Sequence, residues 1–435
     1  MIIALNLTAQ PDKASSFASW LPKHAAIVRS IIANVERPKR EDYDELLRRQ
    51  SQHTKIAAAW NCVVSALQQA ALAAEPGAAA EPGAMPDASH QQQQQQQQLR
   101  LCSFSSNWVL DARIAEVLPA GSLTQLDLAL PFDVLYFPRE VRKVDGPALS
   151  SALARLSNLQ QLRLAGSSPV KALPTTCMPG IAQLSRLTKL SLEEAWQGPE
   201  TGVALLARPH NAAVSDALKQ LLQQPLPLRQ LHLGFSAGCQ PHELSLAALT
   251  QLTQLHIGFP VSGQGCPDVV GQAPVVLPLQ LLQLQWFRCT ARNVGSVMPL
   301  QQLQQLKLHV DCDVVVPLLQ LTQLQALTEL ALTYDDAVLV FDTRSVWKQL
   351  PKLRELDMSR VVQYSGRQHG AIRRAVAACT GLTKLELGVA RFYSEEDTDL
   401  EATTEEESDD GEEDENGDII YTDSSEQLGS SEEMW

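Results

Sequence analysis

One short apolar pattern, L-x-x-L-x-L, returns along this 435-residue chain so often that few folds can hold it. It stands at Leu123, Leu126 and Leu128; at Leu159, Leu162 and Leu164; at Leu187, Leu190 and Leu192; and at Leu228, Leu231 and Leu233. It continues through Leu252, Leu255 and Ile257; Leu279, Leu282 and Leu284; Leu303, Leu306 and Leu308; and Leu327, Leu330 and Leu332. Leu353, Leu356 and Met358 precede a last copy at Leu382, Leu385 and Leu387. Counted on the middle apolar residue, the steps from Leu231 onward are 24, 27, 24, 24, 26 and 29 residues. Three apolar residues that all point inward from one strand-and-turn unit cannot be buried by that unit alone, so each copy needs a neighbour. A chain of this length would ordinarily divide into about three compact domains. The pattern predicts one elongated array instead.

Weaker copies extend the array backward. Leu99 and Leu101, then Val28, Ile31 and Ala33, then Ile2, Leu5 and Leu7 carry parts of the pattern; Leu5 to Ile31 is 26 residues and Leu99 to Leu126 is 27. Lys55 to Ala74 reads as an Ala-rich helix. Glu75 to Gln98, with its Pro-Gly-Ala run and the glutamines of 91–98, has too little apolar surface to fold and reads as a disordered insertion. The gaps between Leu126 and Leu162 and between Leu190 and Leu231 exceed one period, and each predicts an additional helix, as at Asp216–Gln223. The organisation expected is 1–74 as degenerate repeats and a helix, 75–98 as the insertion, 99–393 as regular repeats, and 394–435 as a disordered tail.

The motif Leu249-Thr-Gln-Leu252-Thr-Gln-Leu255-His-Ile257 resembles those of leucine-rich repeats, particularly the plant type. The resemblance covers about 1–390 and implies an α/β horseshoe solenoid, with short parallel strands on the concave face and helices or loops on the convex face. In that family an Asn or Cys usually follows three residues after the last leucine and bonds along an inner ladder. Here that slot holds Pro131, Ser167, Ala195, Ser236, Pro260, Phe287, Asp311, Asp335, Val361 and Ala390.

The net charge of −14 is concentrated at one end. Residues 394–435 hold 19 Asp and Glu and no Lys or Arg, leaving 35 basic and 30 acidic residues in 1–393. No apolar run reaches the ~18 residues of a membrane span. Met1–Gln10 lacks the basic start and apolar stretch of a secretory signal, and the eight cysteines never form a CxxC pair. A reduced, cytoplasmic protein is expected, with the nucleus as the alternative. Nucleotide loops, a dinucleotide GxGxxG, HExxH and the GxSxG elbow are all missing from the sequence. Neither a catalytic role nor a cofactor is expected. Cys239, Cys266, Cys289 and Cys312 recur in four successive repeats, but their wide spacing suits small apolar fillers better than a metal site.

Strand alternation turns the residue between the last two leucines toward solvent. That stripe reads Arg100, Asp127, Arg163, Ser191, His232, His256, Gln283, Lys307, Ala331, Asp357 and Glu386, with amides such as Gln161, Gln230, Gln254, Gln280 and Gln305 nearby. A nucleic-acid surface would be consistently basic, so a protein partner on the concave face is expected. Two residues past the final leucine runs an aromatic row, Phe235, Phe259, Trp286 and Tyr334, interrupted by Val310. These rings either form a hot-spot ridge for the partner or turn inward and fill space. His232 and His256 fall on adjacent strands about 4.8 Å apart, and two imidazoles so close resist double protonation, so that binding weakens below about pH 6.

Solenoid ends need covering, and the chain begins directly on a repeat at Ile2. A ubiquitin-ligase substrate receptor is one alternative, although no F-box match is present. Asp418–Asp423 could add a strand to a sheet edge. The tail invites contact with a basic protein, and a repeat array with an acidic tail is similar in layout to the acidic leucine-rich nuclear phosphoproteins, which makes histone binding the other alternative.

Overall fold

The computed structural model describes residues 1–35, 43–72, 99–108, 112–129, 145–166, 175–194, 210–234, 245–258, 277–289, 295–310, 321–334, 349–359 and 381–387. The chain divides into two units, Met1–Arg391 and Phe392–Trp435, and every described residue belongs to the first. Residues 75–98, 394–435, Phe235 and Phe259, with the expectations attached to them, lie outside the described residues.

Thirteen strands form one sheet whose spatial order is the order of the chain. They are β1 (Ile2–Asn6), β2 (Ser30–Asn34), β3 (Ser103–Ser106), β4 (Gln125–Ala129), β5 (Gln161–Gly166), β6 (Lys189–Glu194) and β7 (Gln230–Gly234). There follow β8 (Gln254–Gly258), β9 (Gln283–Cys289), β10 (Gln305–Val310), β11 (Glu329–Tyr334), β12 (Glu355–Met358) and β13 (Lys384–Leu387). Each pairs in parallel with the next, from Ile2↔Ser30 to Met358↔Leu387. Parallel neighbours need a crossover between them, and a repeat supplies one of nearly constant length. This is a leucine-rich-repeat solenoid.

Register stacks the apolar positions into columns. Leu126, Leu162, Leu190, Leu231, Leu255, Leu284, Leu306, Leu330 and Leu356 stand side by side, all buried. At the strand entrances a second ladder joins the coils. The carbonyl oxygens of Cys102, Thr124, Gln160, Thr188, Arg229, Thr253, Leu282, Gln304, Thr328 and Arg354 each accept two backbone N–H bonds from the following coil. Where the pattern reads Leu-Thr, the hydroxyl adds a third: Thr124, Thr188, Thr253, Thr328 and Thr383 donate to those carbonyls at 2.9–3.1 Å. An otherwise solvent-facing threonine is thereby explained by the carbonyl it caps.

Three copies sit in a different frame from the one the sequence suggests. At β9 the buried leucines are Leu281, just before the strand, and Leu284, while Leu279 is 64% exposed, and Trp286 pairs with Ile257 and Leu308. The step from Leu255 is therefore 29 residues and the next 22. Overlapping leucines at 279, 281, 282 and 284 satisfy the pattern in two frames, and pairing with both neighbours selects one. In β3 the motif is Leu101-x-x-Phe104-x-Ser106, so Arg100 precedes the strand. In β1, Ile3 rather than Leu5 pairs with Ile31. The same first coils carry asparagine bonding of their own, where Asn107 Oδ1 accepts from Val35 N at 2.6 Å and its Nδ2 donates to Val35 O at 3.0 Å.

Helices line the other side of the first coils. Among the described residues they are α1 (Asp12–His24), α2 (Tyr43–Leu72), α3 (Ala112–Val117), α4 (Gly146–Arg155), α5 (Met178–Ala182) and α6 (His210–Leu222), and they pack in chain order. In α2, Ile56, Ala59, Trp60, Val63, Val64 and Leu67 are buried at helical spacing. In α4, Asp145 caps the first turn by accepting from Ala148 N at 3.0 Å, and Leu149, Ala152 and Leu153 face the core. The long gaps noted in the sequence thus contain helices α4 and α6. Gly180 of α5 permits close approach, because a Cβ there would overlap the Ser150 carbonyl of α4.

Two outcomes follow for stability, read by thermal or urea unfolding of the full chain. Leu281→Ala and Leu284→Ala each cost about 2–4 kcal/mol, whereas Leu279→Ala costs under about 0.5 kcal/mol; equal losses would refute the β9 register. Gly180→Ala costs about 1–3 kcal/mol by overpacking, while Gly121→Ala, whose Cβ would meet nothing within 4 Å, is near neutral.

Candidate functional site

Alternation along thirteen parallel strands leaves one sheet face to solvent in columns. The first column reads Gln125, Gln161, Lys189, Gln230, Gln254, Gln283, Gln305, Glu329, Glu355 and Lys384. The second reads Ser105, Asp127, Arg163, Ser191, His232, His256, Gln285, Lys307, Ala331, Asp357 and Glu386. Gln283 therefore belongs to the first column, and Gln285 takes the place expected for it. Ser105 likewise replaces Arg100.

A charged relay crosses six adjacent strands. Ser105 Oγ donates to Asp127 at 3.4 Å, and Asp127 accepts from Arg163 Nη1 at 3.2 and 3.4 Å. Arg163 then grips Glu193 bidentately, Nε to Oε1 at 2.9 Å and Nη2 to Oε2 at 2.8 Å. The same Oε1 accepts from Ser191 Oγ at 2.6 Å and lies 3.2 Å from His232 Nδ1. Beyond it, the rings of His232 and His256 stack with centroids 3.8 Å apart and 9° between their planes.

Burial would raise the Glu193 pKa, but hydrogen bonds from Arg163, His232 and Ser191 and the guanidinium charge overrule it, and the carboxyl is held well below its usual range. Asp127 goes the other way: burial pushes it up, and its longer bonds to Arg163 offset only part. Arg163 is held above its ordinary value by the bond to Glu193. His256 is lowered to about 4 by burial and by the charge of His232 beside it.

Two further acids on this face are also matched. Lys307 Nζ lies 2.8 Å from Glu329, and Asp357 accepts from the Ser359 hydroxyl at 2.6 Å. Between Glu193 and Glu329, β6–β10 enclose a shallow groove of about 350 Å³ lined by Lys189, glutamines, both histidines and Lys307.

The structure thus brings together His232, His256, Gln283 and Lys307. Of the expected aromatic row, Phe235 and Phe259 lie outside the described residues, and only the strand register of Trp286 and Tyr334 is described. Trp286 occupies the column of Ile257 and Leu308, and Val310 pairs instead with Cys289 and with Tyr334, the last residue of β11. Glu193 and Ser105 were not singled out in the sequence. Glu193 lies two residues beyond Ser191, so alternation places both on one face, a signal that following a single column misses.

His232 Nδ1 faces both the Ser191 hydroxyl and the Glu193 carboxylate, each at 3.2 Å. The ring does not stand between acid and hydroxyl, as a nucleophile–base–acid triad requires. Among the described residues no group of three His, Cys, Asp or Glu could hold a metal ion, and no helix is long and apolar enough to cross a membrane.

No family model matches the sequence, and no curated protein matches it. Among solved structures, the chain is similar to a leucine-rich repeat protein of Leptospira interrogans at 16% identity, covering 66% of this chain and 90% of that one, with a TM-score of 0.23.

The relay has a pH signature. Unfolded His256 takes up a proton near 6.5 and folded His256 only near 4, so the unfolded chain binds more protons between those values and stability falls as pH drops through that window. Glu193 adds a loss of the same sign below about 4.5, and Asp127, with its raised pKa, opposes it. Urea unfolding at pH 7 and pH 5 should show the full chain losing about 1 kcal/mol from His256, after allowance for partial exposure. His256→Gln should remove that loss; a variant with unchanged pH dependence would contradict the assignment.

Proposed function

We propose that the protein is a non-catalytic scaffold that binds another protein on the open, concave face of its sheet, with the acidic tail making electrostatic contacts with basic proteins. The observation that carries this reading is the pair of polar columns running the length of the sheet. They offer amide, hydroxyl, imidazole and charged groups at the spacing of adjacent strands. Mixed charge along the columns disfavours nucleic acid, which would call for a consistently basic track. Plant-type repeats and a cytoplasmic setting belong to the same reading; free thiols at Cys62, Cys102 and Cys177 accord with the latter.

Affinity purification with mass spectrometry tests this when the intact chain, a 1–393 truncation, and a Gln230→Arg/Gln254→Arg variant are compared at low and high salt. Partners retained by the truncation and lost from the double variant place binding on the sheet face. Partners unaffected by the double variant but lost on truncation or in salt move the function to the tail.

A further inference from the structure

The stretch of open face over β6–β10 differs from the rest in what it presents. To one side Glu193 is saturated by Arg163, Ser191 and His232; to the other Glu329 is held by Lys307. Between them the two columns carry only Lys189, Gln230, His232, Gln254, His256, Gln283, Gln285, Gln305 and Lys307, with no carboxylate. Lys189 is exposed and has no ion-pair partner among the described residues. The groove is therefore lined by neutral amides, which both donate and accept, and by two imidazoles, with an unpaired ammonium at its rim and flanking acids that are already engaged.

We propose that this groove receives an acidic, extended segment of a partner protein. The inference rests on the scaffold reading and names the chemistry of the partner. Five strands at about 4.8 Å spacing span roughly 19 Å, the length of about six extended residues. Carboxylates of such a segment meet Lys189 and the histidine pair, while the column of glutamines pairs with its backbone amides. Among the described residues of these columns a basic segment would find no unengaged carboxylate, since Glu193 and Glu329 are both paired and Arg163 stands behind Glu193.

The histidine stack couples this binding to protons. Among the described residues, the charged and titratable groups facing His256 are His232 on β7, Glu193 and Lys189 on β6, and Lys307 on β10, with Gln283 and Gln285 on β9. In the unliganded face a positive charge on His256 is opposed by burial and by the ring beside it. A bound carboxylate removes that opposition, so a proton enters with the acidic segment and binding tightens toward pH 5.5. This is the reverse of the weakening at low pH expected from the two imidazoles considered alone, because the partner's charge enters the balance.

The test is fluorescence anisotropy with the full chain and a labelled eight-residue peptide alternating Glu and Gly, against the matching Lys-Gly peptide, at constant ionic strength and at pH 7.5 and 5.5. The acidic peptide should bind and the basic one should not, with affinity rising about 3–10-fold on acidification. Lys189→Glu should abolish binding at an unchanged melting temperature, Lys189→Gln should weaken it severalfold, and His256→Gln should remove the pH effect. Preference for the basic peptide, or acidic binding indifferent to Lys189→Glu, overturns the proposal. If cellular partners still require Gln230 and Gln254 in that event, the scaffold reading stands and only the partner chemistry falls; if they do not, both fall.

Discussion

Burial of each coil's strand leucines against those of the next is the interaction on which everything else rests. Leu190, Leu231, Leu255 and Leu284 are buried only because their neighbours occupy the same register position one strand away. A coil alone would expose them. Stability is therefore close to a sum of nearest-neighbour contacts, and insertions are tolerated wherever they leave the strand register intact. Helices α4 and α6 lengthen two crossovers, yet β4 still pairs with β5 and β6 with β7.

The same register that buries one set of side chains orders the other. Because pairing is residue for residue, polar side chains facing away from the core fall into straight columns, and groups distant in sequence become neighbours. Asp127, Arg163 and Glu193 form one ion network in this way, and His232 and His256 meet ring to ring. Exposed ion pairs contribute little stability singly, but the bidentate Arg163–Glu193 contact fixes which acids are neutralised. What remains open over β6–β10 in the two columns is then a surface of amides and imidazoles with no carboxylate of its own.

Much of this was legible in the sequence wherever the pattern had a single frame. Parallel strands, the columns from Asp127 to His256, and helices within the long gaps follow from period and alternation alone. Frames failed where the sequence offered two, as at Leu279–Leu284, or where a non-leucine residue filled the slot, as Phe104 does in β3. There only the pairing with adjacent strands discriminates, and that is a tertiary fact. Moving β9 by two residues also changes the register of Trp286, which pairs with Ile257 instead of falling two residues beyond that position. Glu193 escaped notice for a different reason: its partners come from three strands, and no local spacing announces such a contact.

Site-specific photocrosslinking tests the central claim most directly. A photoreactive residue is placed in the full chain at Gln230, Gln254 or Gln285 on the open face, and at Gln68 or Arg155 on the helical side. The account predicts that partner proteins crosslink from the three sheet positions and not from the two helical ones. Crosslinks confined to Gln68 and Arg155 would contradict it, placing recognition on the helical side and leaving the polar columns as a solvated face.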